Sequence, residues 1–220
     1  MSPRRLYEEE LKQLQESVEE MGMGVRATYA RLFSALQQQK ESVIEEIITS
    51  DQSTHTLQRR IEGSCLNLIT KQQPIARDLR QVSASLKVVT DISRIGDQCS
   101  DIAELVKRMH FKDLQEFSTH IPQMIEETGK QLTEAINAFV DRNAESAQHV
   151  VAGDDTVDDL FNQVKNDVIT HLRSEAKDPD DCIDVMMFAK YLEKIGDHAV
   201  NICEWEIFRE TGTIQNTKVF

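Results

Sequence analysis

Glu193, Asp197 and Asn201 recur every four residues within YLEKIGDHAVNICEW, Tyr191 to Trp205. On a helix this spacing stacks three oxygen-bearing side chains in one column. Two carboxylates one turn apart repel by roughly 0.2–0.5 kcal/mol on a bare helix, and a bound cation reverses that sign. Asp154 and Asp158 repeat the spacing upstream. All-oxygen ligand sets select hard cations such as magnesium, manganese, calcium or ferric iron, and carboxylates from two helices can bridge several ions. Acid pairs of this kind are also common on solvated helix faces, so one pair alone does not specify a site.

The lettering is repeated, which gives it more weight. VVTDISRIGDQCSDIAE, Val88 to Glu104, aligns without a gap on FAKYLEKIGDHAVNICE, Phe188 to Glu204. Asp97 falls on Asp197, Gly96 on Gly196, Ser93 on Glu193 and Asp101 on Asn201. Further upstream Asp51 falls near Asp154, and His55 stands where Asp158 stands. The first copy thus offers Asp51, Asp97 and Asp101 with a His55 nitrogen, a weaker or softer set than Asp154, Asp158, Glu193, Asp197 and Asn201. Asp91 is close in sequence but on another face. The second copy is expected to bind metal more tightly than the first.

Helices must position these columns. Val185, Phe188, Ala189, Leu192, Ile195, Ala199, Ile202 and Cys203 form an apolar stripe at three-four spacing, roughly a third to half a turn away from the acid column. Similar stripes predict helices over about 4–38, 41–72, 74–110, 113–141, 144–175 and 179–210. Pro74 is expected in the first turn of the third. Asp178 and Pro179 read as the cap and first residue of the sixth. Each helix is too long and too one-faced to stand alone. The fold class is therefore all-α: two tandem, pseudo-symmetric three-helix bundles, over 1–111 and 112–210, with a polar, frayed tail over 211–220. Gly96 and Gly196 lie within the stripes, and close approach of a neighbouring helix is expected at both.

Composition narrows the function classes. The chain has 220 residues and a net charge of −13, a balance that opposes nucleic-acid binding and permits metal cations and basic partner surfaces. No apolar run approaches the ~18 residues of a membrane span, so membrane contact is expected only through partners, and a cytoplasmic location follows. Cys65, Cys99, Cys182 and Cys203 form no C-x-x-C pair and read as reduced core residues. The Glu-x-x-His pair of di-iron bundles, G-x-S-x-G, H-E-x-x-H and the P-loop are all missing from the sequence, so no enzyme is expected.

At this point LEKIGDHAVNICE resembles the repeated signature of the PhoU family of phosphate-transport regulators, approximately L-E-R-I-G-D-x-A-x-N-I-A-E. QQPIARDLR, Gln72 to Arg80, and GDDTVDDLF, Gly153 to Phe161, resemble two further stretches of that family. The resemblance implies two three-helix bundles whose Glu/Asp-x-x-x-Asp motifs hold metal, with iron, manganese, magnesium or zinc as the expected ions. It implies a cytoplasmic, often dimeric, non-enzymatic regulator. Such a protein restrains uptake by the phosphate ABC transporter, through its ATPase subunit, and engages the sensor histidine kinase of the phosphate response. The departures at Ser93 and His55 bear on whether the first copy holds a full cluster. A metal-binding or metal-storing bundle without a phosphate role is the alternative.

Overall fold

A computed structural model describes residues 3–109, 111–174, 177–214 and 217–218. Eight helices run among the described residues: α1 Pro3–Gln37, α2 Glu41–Gln72, α3 Ala76–Val106, α4 Phe111–Phe117, α5 Ile121–Val140, α6 Ala144–Ala152, α7 Asp155–Ser174 and α8 Pro179–Thr211. The all-α repeat is as expected from the stripes. Leu14, Val18, Met21, Val25, Leu32 and Leu36 of α1 are all buried, as are Val185, Phe188, Leu192, Ile195 and Ile202 of α8.

Five details differ from the sequence expectation. The fourth predicted helix is two, α4 and α5, because Pro122 enters at the start of α5 and cannot continue a helix from α4. The fifth is also two, since α6 ends at Gly153 and the chain turns through Asp154 before α7. Pro74 is not in the third helix. Gln73 closes α2 in the left-handed region (φ 47°), Ile75 is extended, and α3 starts at Ala76 with φ 48°. His110, the expected end of that helix, lies outside the described residues, and α3 stops at Val106. The tail is not simply frayed either: Thr213–Ile214 pairs antiparallel with Thr217–Lys218 after α8, which Gly212 closes in a left-handed turn. Residues 215, 216, 219 and 220 of that tail lie outside the described residues.

α3 and α8 form the centre of the molecule and run antiparallel. Asp91 of α3 meets His198 and Asn201 of α8, while Asp101, one end over, lies near Tyr191. Each helix thus uses equivalent positions to reach across one seam. The hydrophobic core is continuous over that seam: Ile92 and Ile95 from the first half join Leu192 and Ile195 from the second. All four cysteines are buried and free. Burial pushes the thiols of Cys65, Cys99 and Cys203 up to about 12.

The break between α4 and α5 is pinned to α7. Asp167 accepts hydrogen bonds from Ser118 Oγ at 2.6 Å and His120 Nδ1 at 2.8 Å. Burial alone would raise that carboxyl, and the two donors outweigh it and hold it below the usual range.

α1 is tied to α5 by the Tyr29 hydroxyl, which donates to the Ile125 carbonyl at 2.7 Å. The ring lies over Gly129: a Cβ there would stand 2.8 Å from Tyr29 Cε1. Tyr29 is buried and held by its hydrogen bond, so it cannot move aside freely. Gly129→Ala is expected to lower stability by about 1–3 kcal/mol, read as a lower urea midpoint at unchanged slope. An unchanged midpoint would show that the ring yields.

Candidate functional site

α7 and α8 bring four of the sequence-predicted acids to one solvent-facing groove. Asp154 occupies the turn before α7, and Asp158 its first turn. Glu193 and Asp197 stand one turn apart on α8. Their charges act on one another. Partial burial pushes the Asp158 carboxyl above its ordinary value, and Asp154, Glu193 and Asp155 push it further. Asp197 is raised in the same way, by burial first and then by Glu193 and Asp158, with Asp154 adding a smaller part. The N-terminus of α7 offsets part of this repulsion, because its free N–H groups favour anions.

Three residues that the acid spacing did not single out complete the groove. Lys190 of α8 ion-pairs with Glu193, and its ammonium lies 5.2 Å from the Phe161 ring centroid. Gln131 of α5 donates from Nε2 to Asp154 Oδ1 at 3.1 Å. Its Oε1 is buried with no hydrogen-bond donor and lies 2.9 Å from where a Cβ on Gly196 would stand. Gly196 therefore makes room for the amide that holds Asp154, which is the close approach expected there. Gly96 is looser, with Thr54 Cγ2 at an ordinary 3.4 Å. The Lys-x-x-Glu spacing of Lys190 and Glu193 was the readable signal, whereas nothing in the sequence ties Gln131 to Asp154.

The equivalent place in the first half is built differently. His55 Nδ1 is 3.1 Å from Ser93 Oγ, and His55 Nε2 is 3.2 Å from Asp97 Oδ1. Arg94 reaches Asp97 Oδ2 at 3.4 Å. Asp101 lines a cleft of about 490 Å³ with Ile48, Glu104 and Tyr191. There it adds to burial in raising the Tyr191 phenol. Asp51 lies on α2, and its side chain is outside the described residues. Asn201 does not join the second-half acids: its Nδ2 donates to Asp91 Oδ1 at 3.2 Å, beside His198 Nδ1 at 2.9 Å.

The two halves answer the test of metal fit differently. Among the described residues no three His, Cys, Asp or Glu side chains stand together at the spacing a bound ion imposes. The second-half donor set is nevertheless chemically that of a hard-cation site. All its ligand atoms are oxygen, and two of its carboxyls are raised, by burial first and then by their acidic neighbours. Asp154, Asp158, Glu193 and Asp197 would hold the ion. In the first half the imidazole already stands between Ser93 and Asp97.

Comparison with known proteins bears on the whole chain. The model of the PhoU domain matches twice, over residues 18–106 and 121–205. A PhoU homologue of Clostridium acetobutylicum, called a phosphate-specific transport system accessory protein, is 31% identical over 95% of this chain and 96% of its own. One from Methanothermobacter thermautotrophicus, with the same description, is 29% identical over 95% of this chain and 96% of its own. The crystal structure of PhoU from Pseudomonas aeruginosa superposes with a TM-score of 0.85 at 25% identity, covering 94% of this chain and all of that one. The phosphate transport system regulatory protein PhoU from Streptococcus pneumoniae has the same fold, with a TM-score of 0.86 at 24% identity over 94% of this chain and 98% of that one. The two domain matches cover α3 and most of α8, the helices that carry the repeated Ile-Gly-Asp lettering, and the chain belongs to the PhoU family.

Proposed function

We propose that this protein is a cytoplasmic, non-enzymatic regulator of phosphate uptake that works as a homodimer with a phosphate ABC transporter, restraining transport and the phosphate-starvation response. The observation that carries this reading is the double family match over both repeats, together with relatives described as accessory proteins of the phosphate-specific transport system. Among the described residues no helix is long and apolar enough to cross a membrane, which fits a protein that reaches the transporter through partner subunits. The ATPase subunit and the sensor histidine kinase are the partners this reading names. The net charge of −13 suits a basic partner face, with complexes that weaken as salt rises.

Metal belongs to this reading as a property of the second half. A hard cation on Asp154, Asp158, Glu193 and Asp197 would neutralise the repulsion that adds to burial in raising Asp158 and Asp197. Magnesium, manganese and ferric iron suit an all-oxygen set better than zinc. The chain's own contribution is to hold the carboxylates on two packed helices, with Gln131 fixing Asp154 and Lys190 standing in as counter-charge to Glu193.

Deleting the gene in a host with no second copy tests the regulatory reading. Phosphate uptake is expected to rise and a phosphate-starvation reporter to switch on in phosphate-replete medium. Unchanged uptake with an unchanged reporter would overturn it.

A further inference from the structure

The outer ridge of α8 carries a pattern that the core does not use and that meets the carboxylate groove only at Lys190. Asp180, Ile183, Met187, Lys190 and Lys194 follow a three-four-three-four spacing, that of a helix seam which packs on another helix. Ile183 is 59% exposed and Met187 39%, among the few large apolar side chains left in solvent. Lys190 over the Phe161 ring places one flank of α7 beside this ridge. Leu172, about three turns further along that flank and 44% exposed, extends the apolar surface toward Ile183.

The internal repeat provides a control. On α3 the positions equivalent to Ile183 and Met187 are Ser83 and Lys87. Lys87 stands 5.9 Å from the Trp205 ring centroid, within a helix of the same length class and the same packing role. The fold is therefore built with polar residues at these two places, and the apolar pair on α8 is not needed for it.

The ridge is also complementary to itself. Its first turn is acidic, its middle apolar and its later turns basic, with Asp180 and Lys194 both exposed. If two such ridges lie antiparallel, Ile183 of one copy meets Met187 of the other in two symmetric layers. Asp180 of each copy then stands opposite Lys190 of the other, with Lys194 one turn beyond. A contact with two-fold symmetry requires this kind of self-matching surface, and an unrelated partner does not.

We infer that the outer face of α8, around Ile183 and Met187, is the surface on which two copies of this chain pair antiparallel. This inference rests on the homodimer reading and adds the surface to it. The test is sedimentation of the full chain over a wide concentration range. Ile183→Ser with Met187→Lys transplants the residues that α3 already tolerates, with helicity checked by circular dichroism. The expected result is a wild-type dimer and at least a tenfold rise in the dissociation constant for the transplant (roughly the effect of losing an apolar anchor). Asp180→Lys, which sets a lysine opposite Lys190 of the other copy, should weaken the dimer. A wild-type chain that is monomeric throughout overturns both the inference and the homodimer reading. A dimer that neither the transplant nor the charge reversal weakens overturns the surface alone and leaves the homodimer reading standing. Uptake in the deletion strain is read separately, so failure of the regulatory reading is not confused with either.

Discussion

Exchanging Arg209 for methionine is expected to lower stability by about 3–5 kcal/mol, the cost of leaving a buried charge without its partner. Glu206 is fully buried near the end of α8, and Arg209 is 4% exposed beside it. The guanidinium ion-pairs with Glu206, donates from Nη2 to the Phe139 carbonyl at 2.8 Å, and lies 4.4 Å from the Phe139 ring centroid. Burial nevertheless dominates. It pushes Glu206 up to about 7 although the guanidinium pulls it down, and it holds Arg209 below its usual value. Removing Arg209 strands the carboxylate and takes the donor from Phe139. Because the folded value of Glu206 lies above its unfolded one, the folded state takes up the proton first as pH falls. The charged carboxylate therefore costs most above pH 7, and the cost fades between about 7 and the ordinary carboxylate range. Urea unfolding of Arg209→Met at pH 8 and again at pH 5 should show a large loss that shrinks on acidification. Replacing both partners by apolar residues should recover most of the stability. Equal midpoints for wild type and Arg209→Met at pH 8 would contradict the burial described.

The second large effect concerns metal. Glu193→Gln combined with Asp197→Asn is expected to abolish most metal binding, whereas Asp97→Asn should leave it nearly unchanged. The double change removes two of four carboxylates around one groove, both on α8, and spares Asp154 in the turn before α7 and Asp158 in its first turn. Asp97 faces His55, which already provides its counterpart. The same double change should leave the metal-free protein as stable as the wild type or more so, since Asp158 is raised by Glu193 and Asp197 by Glu193 and Asp158. Carboxyls raised in the folded state destabilise it when ionised. The metal-free wild type should therefore gain stability as pH falls from the raised values toward the ordinary range, and the double variant should gain less. Elemental analysis of protein purified without chelator, alongside melting of the metal-free form, reads both effects. Equal metal loss from Asp97→Asn would remove the asymmetry between the halves. No loss from either change would leave the columns as solvated helix faces.

Much of this architecture could be read from spacing alone. Long stripes such as Leu14 to Leu36 set the helices, and the alignment of Val88–Glu104 on Phe188–Glu204 set the two-fold plan, because a stripe must bury itself and a repeated stripe does so twice. Asp178 and Pro179 gave the start of α8, where the Asp178 side chain accepts from Asp180 N–H at 2.9 Å. The split helices were readable too, from Pro122 and Gly153, but the surrounding apolar periodicity outweighed two single residues. The grouping of Asp154, Asp158, Glu193 and Asp197 followed from which faces they share. Asn201 shares that column, yet its partner is set by the helix lying over it, and the spacing on α8 does not say that α3 brings Asp91 there. Ser93 and His55 were readable as departures from the acid pattern. That they bond to each other depends on how closely α2 and α3 approach, which one-dimensional spacing does not encode.

The four thiols have a consequence of their own. Cys65 lies on α2, Cys99 on α3, and Cys182 and Cys203 toward opposite ends of α8, all free, buried and with raised pKa values. A buried thiol with a raised pKa offers little thiolate to an electrophile, so alkylation of the native molecule is expected to be slow. Modification then proceeds only through transient openings of the helix that carries the cysteine. The chain carries four clocks, two of them timing the two ends of one helix separately.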